Sequence, residues 1–208
     1  MTRISRRAFA ISATAALLAG CGGHEAGRSS ATLPGTVRPG STPPPASASA
    51  KPAPALERSA PVRLRIPAIG VDTPVMRLGL AQDGSVQVPP VTAHDRAGWY
   101  WHSPTPGQVG PSVILGHVTV GSYGDGVFRH LAELHRGDRI VVRLENGTAA
   151  VFTVSAVRTV AKADFPTEEV YGNVNRPELR LITCGGPRTG DGYLDNVIVF
   201  AALTTSTP

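Results

Sequence analysis

The chain has 208 residues, of which 17% are charged and only 5% aromatic, with 23 glycines and 19 prolines. That Gly and Pro load argues against a helical bundle and for strands, turns and one loose stretch, within a length that allows one domain or two small ones. The formal charge is +5, but Arg3, Arg6 and Arg7 lie at the extreme N-terminus and leave 17 basic against 15 acidic residues elsewhere; no later basic stripe interleaved with aromatics follows, so nucleic acid is excluded as a partner.

Residues 1–21 read as an export signal. A basic segment ends at Arg7, an apolar stretch runs from Ala8 to Gly20, and a small-residue site precedes Cys21. Thirteen residues at ~1.5 Å each fall short of a ~30 Å hydrocarbon core, so this is no membrane span. Ser5-Arg6-Arg7-Ala8-Phe9 resembles a twin-arginine export motif, and Leu18-Ala19-Gly20-Cys21 resembles a bacterial lipobox. The latter implies that Cys21 is lipidated and anchors the mature protein to the outer face of the cytoplasmic membrane, facing the cell wall. Residues 22–60 hold seven prolines, many Ala and Ser, and no aromatic residue. Such a segment cannot bury enough apolar surface to offset its ordering entropy, and it reads as a disordered tether with a reach of about 35 Å. Leu33-Pro34-Gly35-Thr36-Val37 within it has the look of a peptide signal, which the composition of the segment accounts for by itself.

From Pro61 the pattern is that of strands. Val62–Ile66 alternates apolar and basic residues; Gly70–Val75, Ser85–Val88, Ser112–Leu115, Arg139–Leu144, Ala149–Val154, Leu179–Thr183 and Asn196–Phe200 follow, separated by Gly-, Pro- and Asn-containing pairs. Asn146-Gly147 between two such runs is a hairpin signal. Only Val127–Leu134, apolar at 127, 128, 131 and 134, reads as a helix. The expectation over 61–205 is an all-β domain, a barrel or sandwich of seven or eight strands.

With Cys21 lipidated, Cys184 has no partner. It ends a strand and runs into Gly185-Gly186-Pro187, a position from which a thiol can be presented to a ligand; burial as a small hydrophobe is the other reading. Among six histidines only His117, after Val113-Ile-Leu-Gly116, repeats that strand-then-glycine setting, and histidine is suited to proton transfer near neutral pH. One Cys and one His are too few for a metal site, and nothing in the pattern calls for a cofactor.

At this point residues 61–203 resemble the sortases, cysteine transpeptidases of Gram-positive cell surfaces, and most of all the actinobacterial class often called class E/F. The resemblance is carried by Ala97–Tyr100, Pro106–His117, Phe128–Asp138, Phe165-Pro166, Val170–Gly172, Leu179–Pro187 and Tyr193–Asn196. It implies an eight-stranded barrel with one or two short helices, and a monomer. It implies Cys184 as nucleophile toward the Thr–Gly bond of an LPxTG-like sorting signal, with His117 as general acid and base. Thr183 would shape the pocket for the substrate threonine or make an oxyanion contact, and an amine from a cell-wall precursor or pilin would resolve the acyl enzyme. It further implies a catalytic arginine. The usual position, at the start of the last strand, holds Asp195-Asn196, which leaves Arg188 as the candidate and Arg180 as runner-up on the barrel exterior. L,D-transpeptidases are set aside because Cys184 follows Ile-Thr rather than Ser-His-Gly. A lipid-anchored, non-catalytic β-barrel module that binds an envelope ligand is the alternative.

Overall fold

Residues 53–190 and 192–207 are described by the structure, a computed structural model. The leader, Cys21, the tether up to residue 52 and the Leu33–Val37 stretch lie outside them.

Eight strands close into one barrel. They are β1 (Pro61–Ile66), β2 (Val71–Leu78), β3 (Ala97–Tyr100), β4 (Gly110–Leu115), β5 (Arg139–Leu144), β6 (Ala149–Ala161), β7 (Pro177–Thr189) and β8 (Gly192–Thr207), arranged in the order β1-β2-β3-β4-β7-β8-β6-β5 with β5 returning to β1. The β2–β3 and β4–β7 pairs are parallel and the others antiparallel. The expected all-β barrel is therefore what the chain forms.

Period-2 alternation explains how the barrel is filled. Ile140, Val142 and Leu144 of β5, and Leu179 and Leu181 of β7, are buried in the interior core with Leu64, Trp99 and Phe152. The intervening Arg139 and Arg143 are exposed. On β7 the intervening Ile182, with Val113, Leu115, Ile198 and Phe200, belongs to a second apolar cluster on the outside of the sheet. A five-residue helix, α1 (Thr167–Tyr171), contributes its buried Val170 to that outer cluster.

Two elements differ from the sequence reading. Ser85–Val88 makes only an isolated bridge, Leu80 to Val86, because Pro89 and Pro90 follow at once and neither can donate to a ladder. The third strand is instead Ala97–Tyr100, whose first three residues are all buried, so it carries no alternation to read. Val127–Leu134 is not an α-helix: after a run of turns it holds one 3-10 turn, Leu131–Glu133. Its apolar positions bury nonetheless, Phe128 and Leu131 fully and Leu134 almost so, and their spacing of three matches the three-residue turn. The hairpin at Asn146-Gly147 forms, with Leu144 N–H bonded to the Thr148 carbonyl and Gly147 N–H to that of Leu144. The chain lies against the barrel from before Pro61: Leu56 N–H donates to the Gly107 carbonyl and Ser59 N–H to Thr105 Oγ1.

Candidate active site

The parallel β4–β7 pair builds the site. Its register runs from Gly110 opposite Pro177 to Leu115 opposite Ile182, and Gly116 N–H still donates to the Ile182 carbonyl. Two residues further on, this register carries β4 to His117 and β7 to Cys184. The chain needs glycine just before His117, because a Cβ on Gly116 would stand 2.6 Å from the Phe128 ring. The approach of Phe128, which donates its N–H to the His117 carbonyl, pins the backbone of the histidine.

Cys184 is a free, half-buried thiol beside a cleft of about 260 Å³. The cleft is shared with Thr183, the Gly185-Gly186 backbone, Arg129, Thr159 and Tyr193. Thr183 is 4% exposed, and its hydroxyl has no hydrogen-bond partner among the described residues. A buried hydroxyl left without a partner costs free energy, and a ligand in the cleft can supply the missing bond.

His117 is not itself among the residues lining the cleft, although its neighbour Val118 is. The ring engages the β2–β3 connection, with Nε2 2.6 Å from the Pro89 carbonyl oxygen. A carbonyl can only accept, so Nε2 carries the hydrogen and Nδ1 is the nitrogen left to exchange a proton.

The arginines separate sharply. Arg180 is on the outer face of β7, as the alternation requires, but it is covered: 3% exposed, ion-paired with Glu178, bonded to the Glu169 carbonyl and 4.7 Å above the Phe200 ring. Burial acts to raise the Glu178 carboxyl, but hydrogen bonds from Arg180 and Arg176 outweigh it and hold it below the usual carboxylate range. Arg180 is thereby committed to the wall behind the site. Arg188 is exposed at the end of β7, its guanidinium 5.8 Å from the centre of the Tyr193 ring. The cation that lines the Cys184 cleft is Arg129, which the sequence reading missed: it lies in the stretch read as helical, far from the cysteine in sequence.

A second depression, of about 600 Å³, lies over the outer apolar cluster, with Tyr100, Val113, Phe165 and Tyr171 among its walls. Tyr171 packs edge-on against Tyr100 at 6.3 Å, and burial raises the Tyr171 hydroxyl above its ordinary value.

A family model described as the sortase domain matches residues 64–204. Sortase A from Corynebacterium diphtheriae (a lid mutant) superposes with a TM-score of 0.56 at 21% identity, covering 74% of this chain and 74% of that one. Sortase A of Actinomyces oris superposes with a TM-score of 0.54 at 26% identity, over 77% of this chain and 89% of that one. Sortase A of Listeria monocytogenes does so at 0.54 and 17% identity, over 71% and 89%. No curated protein matches the chain in sequence.

Proposed function

The chain belongs to the sortase family of cell-surface cysteine transpeptidases, which act on sorting signals and amine nucleophiles, and we propose that Cys184 carries this reaction on an LPxTG-like signal with His117 as its proton carrier. The observation that supports it most is the pairing, in one cleft at the end of β7, of the Cys184 thiol with the unpartnered hydroxyl of Thr183. In the first step the thiolate attacks the carbonyl carbon of the signal's threonine. A C–S bond forms and the π pair moves to oxygen. The tetrahedral species collapses, the C–N bond to glycine breaks, and His117 gives a proton to the departing amine. The incoming amine then attacks the thioester, returns a proton to His117 and releases Cys184. The Pro89 carbonyl suits both steps, since it accepts from Nε2 whether the imidazole is neutral or charged.

Distance along the sheet supports a signal of this length. Val113, on the wall of the aromatic depression, is four residues before His117, just past the end of β4, or about 13 Å at strand rise. An extended Leu-Pro-x-Thr segment covers three such steps, about 10 Å from leucine to threonine, which is comparable. Its Leu-Pro end would lie on Tyr100, Phe165 and Tyr171, and its threonine beside Thr183 and Cys184. Tyr193-Leu-Asp-Asn196 supports a class E/F member, while the Gly-Gly-Pro-Arg188-Thr-Gly loop before it is shorter than in that class. The motif at Cys21 supports a lipoprotein tethered outside the membrane, a reading tested by partition of Cys21→Ala into the soluble phase.

The test is intact mass after incubation of the purified chain with an LPxTG-type peptide and a small amine. The expected result is an acyl adduct on Cys184 that discharges to the amine. Cys184→Ala forms no adduct, and His117→Ala still alkylates with iodoacetamide but does not turn over. Full turnover by either variant defeats the assignment. A Cys184 that neither acylates nor alkylates would make this a binding module with a structural thiol.

A further inference from the structure

Thioester formation at Cys184 puts negative charge on an oxygen within the cleft, and among the described residues one cation, Arg129, lines that cleft. Arg129 comes from the connection between β4 and β5, not from β7 or β8. Its Nε is 3.1 Å from Asp125 Oδ1, four residues earlier in sequence. That contact uses the inner nitrogen of the guanidinium, and among the described residues the two terminal amino groups have no hydrogen-bond partner. The carboxylate therefore holds the fork by its root and leaves its tines open. Beside it, the 4% exposed Thr183 hydroxyl is also unpartnered.

We propose that Arg129, oriented by Asp125, is the catalytic cation of this site, meeting the acyl oxygen as Cys184 adds to the substrate carbonyl. The proposal rests on the transpeptidase reading of Cys184. Charge-assisted donors aimed at an oxygen that becomes anionic act mainly in the transition state. Arg180 cannot serve, because its donors are spent on Glu178 and the Glu169 carbonyl. Arg188 is not among the residues that line the cleft, although its guanidinium lies 5.8 Å from the centre of the Tyr193 ring, which does line it. Asp125 is a positioning residue: it touches the guanidinium and no substrate.

The test compares Arg129→Ala, Arg129→Lys, Asp125→Asn and Arg188→Ala in the full chain, variants at three exposed positions whose folding is checked by thermal melting. Two readouts are taken: single-turnover acylation by an LPxTG-type peptide, and the rate of Cys184 alkylation by iodoacetamide at one fixed pH. Arg129→Ala is expected to slow acylation about 100-fold or more with little change in the peptide concentration for half-maximal rate. Lysine restores part of the loss, since it returns a charge without the fork. Asp125→Asn gives a smaller loss in the same rate, and Arg188→Ala stays within about threefold of the parent. Alkylation of Cys184 at one fixed pH slows in Arg129→Ala, because the reacting sulfur loses a neighbouring cation. Near-normal acylation by Arg129→Ala, or a larger loss in Arg188→Ala, overturns the proposal. If the parent takes no acyl group from any peptide, the transpeptidase reading fails separately. The alkylation rate then still decides whether Arg129 acts on Cys184, and a rate unchanged by its removal overturns the role.

Discussion

Glu178 and Arg180 are two residues apart on the outer face of β7, 6% and 3% exposed, and they ion-pair there. Removing one member of such a pair leaves an uncompensated buried charge, which outweighs what the intact pair contributes. Glu178→Gln is expected to cost about 3 kcal/mol, read from urea denaturation. A loss below about 1 kcal/mol would mean that water reaches Arg180. The pair also sets a pH dependence. The folded carboxyl is depressed, so its contribution is fully present above the ordinary glutamate range and is lost as pH falls through the lower folded value. Urea midpoints of the parent should therefore drop on acidification more steeply than those of the Gln variant. The positions of the two guanidinia follow from the same parity: β7 alternates Leu179, Arg180, Leu181, Ile182, and an arginine on the covered outer face is used for structure.

The β7–β8 hairpin is the element on which the thiol rides. Its register runs without interruption to Gly185 opposite Asp195 and then shifts before Arg188 pairs with Tyr193. Gly186 sits in that irregularity with φ +70°, and a Cβ there would lie 2.0 Å from Asp195 Oδ2. Gly186→Ala combines a left-handed backbone with a clash against the partner strand, and should cost about 1–3 kcal/mol. Because Cys184 is two residues upstream, the acylation rate should fall as well. A variant with unchanged melting and unchanged acylation would show that the hairpin tip rearranges freely and does not set the thiol. The β2–β3 connection acts in the same way on the histidine, since Pro89 bonds its ring and the stacked pair of His94 and Tyr123, 4.4 Å apart, ties that connection to the loop after His117.

Across the whole molecule the barrel is unevenly held. β6, β7 and β8 are 13, 13 and 16 residues long and pair over most of their length, whereas β3 has four residues and β2 pairs with it over four positions. Local opening should follow that asymmetry. Native-state hydrogen exchange is expected to be slowest at Val151–Val154, Leu179–Ile182 and Ile198–Ala201, and fastest in the residue 79–96 connection. Slow exchange in that connection would mean that the Pro89 contact is part of a rigid wall, with the histidine fixed at every stage of turnover.

What the amino-acid sequence determined by itself was local or additive. Alternation located seven of the eight strands, because each has a wet face and a dry face or a continuous apolar run. The Asn146-Gly147 turn was legible because its chemistry lies within two residues. The Cys184 and His117 candidates were legible because each is a polar residue following a strand and a glycine. The third strand was not, since Ala97-Gly-Trp-Tyr100 is buried on both faces and shows no period. Neither was the 3-10 turn inside Val127–Leu134, where the spacing of buried positions fits two periodicities. Only the tertiary structure could decide which cation stands beside the thiol. Arg188 and Arg180 are near Cys184 along the chain, yet one is exposed on Tyr193 and the other is enclosed by Glu178 and Phe200. Arg129 is 55 positions away and shares the cleft, because barrel closure lays the β4–β5 connection across the end of β7. Closure is a long-range property of strand order and register, and no local pattern carries it.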